Sequence, residues 1–232
     1  MTRVEFVEAL KQIGVIITPK QEEQFYLYAA LLKEWNEKMN LTGISEEPEV
    51  LQMHFFDSIV PLARLQINEG AFADVGAGAG FPSLPCLIAF PNLRVTIIEP
   101  LQKRCVFLNE VVKQLGLENV TIENARAEDF VANNRESFDI VSARAVANLN
   151  ILSELCLPLV KKNGIFLAMK GSSGLEEKEA ATKAVSVLGG KFETAFEEKV
   201  GEHTHINLIY RKCKETPTKY PRAYAKIKKN PL

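Results

Sequence analysis

Cysteine is scarce in this chain and poorly spaced for pairing. Cys86, Cys105, Cys156 and Cys213 are far apart and form no Cys-x-x-Cys, which argues against a disulfide framework or a zinc ribbon and for reduced thiols, some of them in the core. No apolar run approaches the ~18 residues that cross a bilayer. Met1-Thr2-Arg3-Val4-Glu5 carries an acid early and no signal-type apolar core follows it, so no membrane partner and a cytoplasmic setting are expected. Histidine is rare. His203 and His205 alternate on a strand-like segment and read as exposed polar residues rather than ligands, so no metal is expected. The one glycine-rich loop lacks a following Gly-Lys-Ser/Thr, which excludes a P-loop.

What is present is ordinary in bulk and specific in one place. Across 232 residues, 47% are hydrophobic and 25% charged, which suits one globular α/β domain with a modest extension. The specific stretch is Ala73-Asp74-Val75-Gly76-Ala77-Gly78-Ala79-Gly80-Phe81-Pro82. An apolar run, Ala71–Ala73, enters it and Leu84–Phe90 leaves it, the pattern of strand, glycine loop and helix where backbone must approach a ligand closely. A dinucleotide loop of the form Gly-x-Gly-x-x-Gly would need glycine at position 81, where Phe81 stands. The loop therefore looks like that of S-adenosylmethionine (AdoMet) methyltransferases. Val95-Thr96-Ile97-Ile98 reads as a buried parallel strand ending in Glu99, where a doubly wound fold places an acid for a ribose diol.

The remaining elements follow in order. Residues 2–13 read as a helix with Val4, Val7, Leu10 and Ile13 on one side. Thr18-Pro19-Lys20-Gln21 is a capping box opening a helix with the stripe Phe25, Tyr28, Leu31, Leu32, Trp35 and Met39. A helix over 47–65 brings His54, Asp57 and Ser58 near one face, a polar cluster that reads either as a buried hydrogen-bond network or as a direct part of the chemistry. From position 71 strands and helices alternate: a helix over 101–115 stopped by Gly116, a strand at 120–122, the Ala127-Glu128 start of a helix, and a strand at 138–142 running into Arg144. A helix over 149–159, a strand at 164–169 ending in Lys170, and a polar helix over 175–188 follow. The last segments, 191–200 and 205–210 about a turn at Gly201-Glu202, read as an antiparallel hairpin. The fold class expected is thus α/β: a doubly wound, mostly parallel seven-stranded sheet of Rossmann-like, class I methyltransferase type. The division expected is a helical extension over 1–66, a methyltransferase domain over 67–213 and a basic tail over 214–232.

Charge is unevenly distributed. From Arg211 to the end there are eight basic residues against the single acid Glu215, on a chain whose formal net charge is −1. Such an ending on an acidic body suggests a phosphate-rich partner. Arg144 and Lys170, two cations at neighbouring strand ends, suggest an anionic ligand at the carboxyl rim of the sheet.

The chain resembles the bacterial ribosomal RNA small-subunit methyltransferase G family, also called glucose-inhibited division protein B. The resemblance rests on Trp35-Asn36 with Asn40-Leu41-Thr42, His54 with Asp57-Ser58, Asp74-Val75-Gly76-x-Gly78-x-Gly80-x-Pro82, Lys103-Arg104, Ser142-x-Arg144-Ala145 and Lys170-Gly171. The ending from Tyr220-Pro221-Arg222 also matches, with Ala225 where the family has glycine. The resemblance implies methylation of N7 of a guanosine in the 530 loop of 16S ribosomal RNA, with AdoMet as cofactor and 16S RNA or the small subunit as partner; the sequence does not fix an oligomeric state, and a monomer is the favoured expectation. It implies a cofactor site at Asp74, Gly76, Gly78, Gly80, Phe81, Glu99, Ala127, Glu128 and Arg144. Arg144 and Lys170 are the residues implied to hold the target nucleotide or its phosphate.

N7 of guanine has an in-plane lone pair and no proton to lose, in keeping with a sequence that offers no obvious catalytic base. Two other readings stay open here: a methyltransferase acting on another RNA or a small molecule, and a catalytically silent binding module on the same fold. An NAD oxidoreductase conflicts with Phe81.

Overall fold

The computed structural model describes residues 1–201 and 203–232; the expected turn residue Glu202 and the side chain of His203 lie outside the described residues. Both N-terminal helices begin on reciprocal caps. In α1 (Arg3–Gln12) Thr2 and Glu5 exchange side-chain and backbone bonds, and in α2 (Pro19–Met39) Thr18 and Gln21 do the same. Asn40 closes α2 in the left-handed region, φ 48°. The face of α1 differs from the expected one. Phe6 and Leu10 are buried, whereas Val4 is 75% exposed. The larger aromatic sets the rotation, because Phe6 packs edge-on against Phe25 of α2 at 5.1 Å.

The helix expected over 47–65 is composite. A turn of α-helix, α3 (Glu47–Glu49), passes into a π-helical segment, Val50–Phe56, and then into α4 (Asp57–Arg64). The wider π winding places Val50, Leu51, His54 and Phe55 inward, and such segments concentrate at functional sites.

The sheet is built from β1 (Glu69–Val75), β2 (Asn92–Ile98), β3 (Val120–Glu123), β4 (Phe138–Arg144), β5 (Val160–Lys170), β6 (Gly190–Val200) and β7 (His203–Lys212). Their spatial order is β3-β2-β1-β4-β5-β7-β6, the first five parallel and the last two antiparallel to their neighbours. Helices α5 (Ser83–Ala89), α6 (Gln102–Leu115), α7 (Ala127–Asn134) and α8 (Leu149–Cys156) connect the parallel strands. Gly116 ends α6 in the left-handed region. A 3₁₀ turn at Leu157–Leu159 finishes what was expected as one helix to 159, since Pro158 has no N–H to donate. The polar helix expected over 175–188 is likewise two, α9 (Gly174–Ala180) and α10 (Thr182–Val187). At the junction the Thr182 hydroxyl bonds back to the Lys178 carbonyl, and Ala181 is fully buried.

Two hydrophobic cores lie on the two faces of the sheet. One joins Phe72, Ile140, Leu167, Met169 and Ile209 to the N-terminal helices through Tyr28, Leu32, Phe55 and Phe81, and so is continuous across the first 66 residues and the sheet. The other holds Val141, Phe166, Leu208 and Tyr210 against Leu152, Leu155 and Val185. Tyr220 and Ile227 belong to that second core, and α11 (Tyr224–Lys229) rests on α8. Residues 214–232 are therefore docked, not trailing. Three of the eight terminal cations are used structurally: Arg211 pairs with Glu193, buried Lys212 with Glu136, and Arg222 with the fully buried Glu154. Lys214, Lys219, Lys226, Lys228 and Lys229 stay exposed.

No helix among the described residues is long and apolar enough to cross a membrane. Among them, too, no cluster of His, Cys, Asp and Glu has the makings of a metal site.

Candidate active site

The carboxyl rim of the parallel strands divides at the switch point between β1 and β4, where doubly wound sheets open a crevice. On the β1–β2–β3 side the glycine loop turns through three positive-φ residues: Gly76 at 72°, Gly78 at 61° and Gly80 at 97°. They do different work. A Cβ on Gly76 would come within 2.9 Å of Val146 in the loop after β4, while one on Gly78 would meet nothing nearer than Arg104, 4.0 Å away. Gly78 thus faces open space at the crevice. Gly80 faces inward, against the Tyr28 hydroxyl and Leu84. Its place in the motif is explained by packing, since Tyr28 must reach past it to donate to the Ala79 carbonyl.

Glu99 lies beneath this loop. Its carboxylate accepts from Gly78 N–H at 3.1 Å and Leu101 N–H at 3.0 Å, with Arg104 3.7 Å off. Two backbone donors leave lone pairs free on a group with about four acceptor positions. Ala127 and Glu128 open α7 farther along the same rim, the first buried and the second half-buried. Asp74 is fully buried and braces the loop from within, accepting from Ser83 N–H and from the Ser142 hydroxyl, each at 3.1 Å. Burial pushes its carboxyl up to about 7, against those two donors and Arg144. The Phe81 side chain likewise points inward, stacked on His54 at 4.5 Å between ring centres.

The β4–β5–β7 side is built around Arg144. Its guanidinium pairs with Asp57 at 3.0 Å, donates to the Met53 carbonyl at 3.0 Å and reaches His54 Nδ1 at 2.8 Å. It also lies over the Phe81 ring. All three polar partners come from the π segment and the first residue of α4. Because arginine only donates, His54 Nδ1 must carry its lone pair, and Nε2–H donates to the Thr42 hydroxyl at 2.9 Å. Burial and the nearby Arg144 charge push the imidazole down to about 4, so this neutral tautomer holds near pH 7. His205 Nδ1 lies 2.6 Å from the other Asp57 oxygen. His205 is thus tied to a buried carboxylate, where two freely exposed histidines were expected on this strand.

Lys170 donates to the Ala147 carbonyl at 2.8 Å and pairs with Glu177 of α9 at 2.7 Å, and the same Glu177 oxygen accepts from Leu149 N–H. Arg144 and Lys170 do sit on adjacent strands and line one cleft of ≈ 290 Å³. Each already faces a carboxylate, however, so the cleft is lined by donors and acceptors together and is not the anion hole expected from two bare cations. Sequence reading missed Glu177 and Asn207 in this lining. Asn207 had a signal, a lone amide inside the apolar strand Ile206-Asn207-Leu208-Ile209; Glu177, in a polar helix, had none.

A family model for rRNA small subunit methyltransferase G matches residues 21–207. The ribosomal RNA small subunit methyltransferase G of Lactococcus lactis IL1403 is 50% identical over the whole of both chains, and that of Bacillus subtilis 168 is 49% identical over 98% of each. Among solved structures, precorrin-6y C5,15-methyltransferase of Geobacter metallireducens aligns with a TM-score of 0.52 at 17% identity, covering 68% of this chain and 87% of that one. M. jannaschii TYW2, in complex with AdoMet, aligns with a TM-score of 0.51 at 17% identity, covering 62% and 70%. At such identities the structural likeness speaks to the fold.

Proposed function

This chain belongs to the rRNA small subunit methyltransferase G family, and from that premise we propose that it methylates N7 of a guanosine in the 530 loop of 16S ribosomal RNA, with AdoMet as methyl donor. The observation that carries the reading is the division of the rim at the switch point, with a glycine loop and a strand-end carboxylate on one side and a polar cleft on the other. The residues fit the cofactor. Gly78 leaves backbone open to a close approach, Glu99 retains lone pairs for a ribose diol, and Gly76, Ala127 and Glu128 flank them. Asp74, Gly80 and Phe81 act behind this surface by holding the loop's shape. When bound, the cofactor supplies an electrophilic methyl group.

The protein's own part is placement. N7 presents a lone pair without a proton, so no side chain need act as base. The ionisable groups on the β4 side are engaged: Asp57 with Arg144 and His205, Glu177 with Lys170, and His54 with Arg144 and Thr42. Alignment of nucleophile and methyl contributes on the order of 7–11 kcal/mol in well-oriented systems. A rigid Arg144, held at three points, suits that work. The exposed lysines Lys214, Lys219, Lys226, Lys228 and Lys229 supply the sequence-independent attraction to RNA phosphates.

The test is a radiolabelled-methyl assay with AdoMet on small ribosomal subunits lacking their native modification, followed by nucleoside analysis. Label recovered as 7-methylguanosine at one position in the 530 loop is the expected result. Label in another nucleoside, or none with AdoMet bound, overturns the assignment.

A further inference from the structure

Asn207 lies on β7 in the middle of an apolar strand, and its side chain is 1% exposed. Strand alternation gives it the face shared with Met169, its partner on β5, and Arg144, Met169's partner on β4. Ile209, two residues on, is a core residue on that same face. An apolar side chain is what the position calls for. The asparagine instead keeps both amide atoms buried with no hydrogen-bond partner among the described residues. Natural structures rarely tolerate such a group without a reason. The same residue lines the cleft with Asp57, Arg144, Lys170, Glu177 and His205.

We propose that Asn207 is a specificity-determining residue that hydrogen-bonds the edge of the target guanine, its Nδ2 donating to O6 and its Oδ1 accepting from N1–H. The inference rests on the methyltransferase reading above and assigns the acceptor base its pocket. A backbone phosphate fits the cleft poorly, because each cation is already balanced by Asp57 or Glu177 and the phosphodiester anion would meet both carboxylates. A heterocycle with donors and acceptors on adjacent atoms fits it well. An amide offers one donor and one acceptor in a plane, the complement of the O6/N1–H pair. At ≈ 290 Å³ the cleft lies at the small end of ligand pockets, roughly 300–1,000 Å³, the size for a base turned out of a loop. The row Arg144–Met169–Asn207 then runs from the switch point to the base edge across three adjacent strands.

The test pairs activity with stability. Asn207→Leu keeps the branched heavy-atom outline, at somewhat larger bulk, and removes two buried unsatisfied polar atoms, so a purely structural asparagine predicts equal or higher Tm and unchanged methylation. The proposal predicts equal or higher Tm, AdoMet affinity by calorimetry within twofold of wild type, and kcat/KM for undermethylated small subunits lowered roughly 10- to 100-fold. Asn207→Ala, which removes both amide groups and adds neither charge nor bulk, is expected to fall by a similar factor and covers the case of a poorly folding leucine variant. Wild-type turnover in both variants overturns the inference, as does a loss of activity matched by a loss of Tm and AdoMet binding. Absence of methyl transfer by the wild type is a different failure: it removes the reading on which the inference stands.

Discussion

The two halves of the carboxyl rim use the same fold in opposite ways. On the β1–β2–β3 side the proposed cofactor surface is mostly backbone: positive-φ glycines, with one carboxylate fixed by two N–H groups. On the β4–β5–β7 side the surface is side chain: a cleft of ion pairs whose members come from α4, β4, β5, α9 and β7. A cofactor with one fixed shape is well served by rigid backbone. A base that must be told from other bases needs a pattern of donors and acceptors, which only side chains from several elements supply.

The hardest blow to the first half is expected from Gly76→Arg. The residue's φ of 72° and the 2.9 Å approach of Val146 leave no room for a side chain without moving the loop. AdoMet binding is expected to disappear by calorimetry, while the exposed lysines continue to bind RNA in a filter assay. Loss of RNA binding as well would mean that the two halves are not separable.

On the second half the largest effect falls on stability. Asp57 is 2% exposed and answers both Arg144 and His205. Asp57→Ala leaves a buried guanidinium unpaired, a change that costs about 3–5 kcal/mol where a buried pair is broken from one side. Chemical denaturation should register it as a lower midpoint at unchanged slope. A loss below ~1 kcal/mol would show that the Met53 carbonyl and His54 hold Arg144 unaided.

This asymmetry decides what the sequence made legible. Backbone sites are contiguous, so the loop from Asp74 to Gly80 and the acid at Glu99 stand out at fixed spacing, and the five parallel strands follow from alternating apolar runs. The side-chain half is dispersed over 150 residues of chain. Sequence showed Arg144 and Lys170 as cations and could not show that Asp57 and Glu177 already balance them. Nor did spacing reveal that Gly80 and Phe81 serve packing while Gly78 faces the crevice, since all sit in one motif. The π winding at Val50–Phe56 had no periodic signature either, because seven residues are too few to separate it from an α-helix. At the chain's end, composition gave the charge of the tail but not its docking, which takes Arg211, Lys212 and Arg222 out of play.

That docking sets the next, smaller test. Removing residues 214–232 would strip Tyr220 and Ile227 from the core and leave Glu154 buried without Arg222, so truncation would confuse folding with RNA binding. Alanine at Lys226, Lys228 and Lys229 together leaves that packing and that ion pair intact. The slope of log K against log salt for RNA should become shallower by about 2, because each single-strand phosphate that a lysine neutralises adds roughly 0.7 to it. AdoMet affinity and Tm should stay near wild type. An unchanged slope would move the RNA path off α11.

The finest distinction between the halves lies in pH. His54 belongs to the side-chain half, and burial together with Arg144 brings it down from 6.5 to about 4. A depressed histidine binds its proton more weakly folded than unfolded, so its contribution to stability is present above pH 6.5 and is lost as pH falls toward 4. Asp74 braces the backbone half, and burial raises it from 3.8 to about 7. A raised carboxyl binds its proton more tightly when folded, so its contribution is present below pH 3.8 and fades as pH climbs through 7. The two slopes oppose one another between pH 4 and 6.5, and the wild-type stability curve should be flatter there than either group alone would make it. His54→Gln retains an acceptor for Arg144 and removes the acid-side loss; Asp74→Asn retains partners for Ser83 and Ser142 and removes the rise on acidification. A tenfold difference in proton affinity between the folded and unfolded chain is worth about 1.4 kcal/mol, so denaturation midpoints from pH 4 to 7.5 should tilt in opposite directions in the two variants. Parallel tilts would show that one electrostatic network spans the switch point, with Arg144 as its link to both His54 and Asp74.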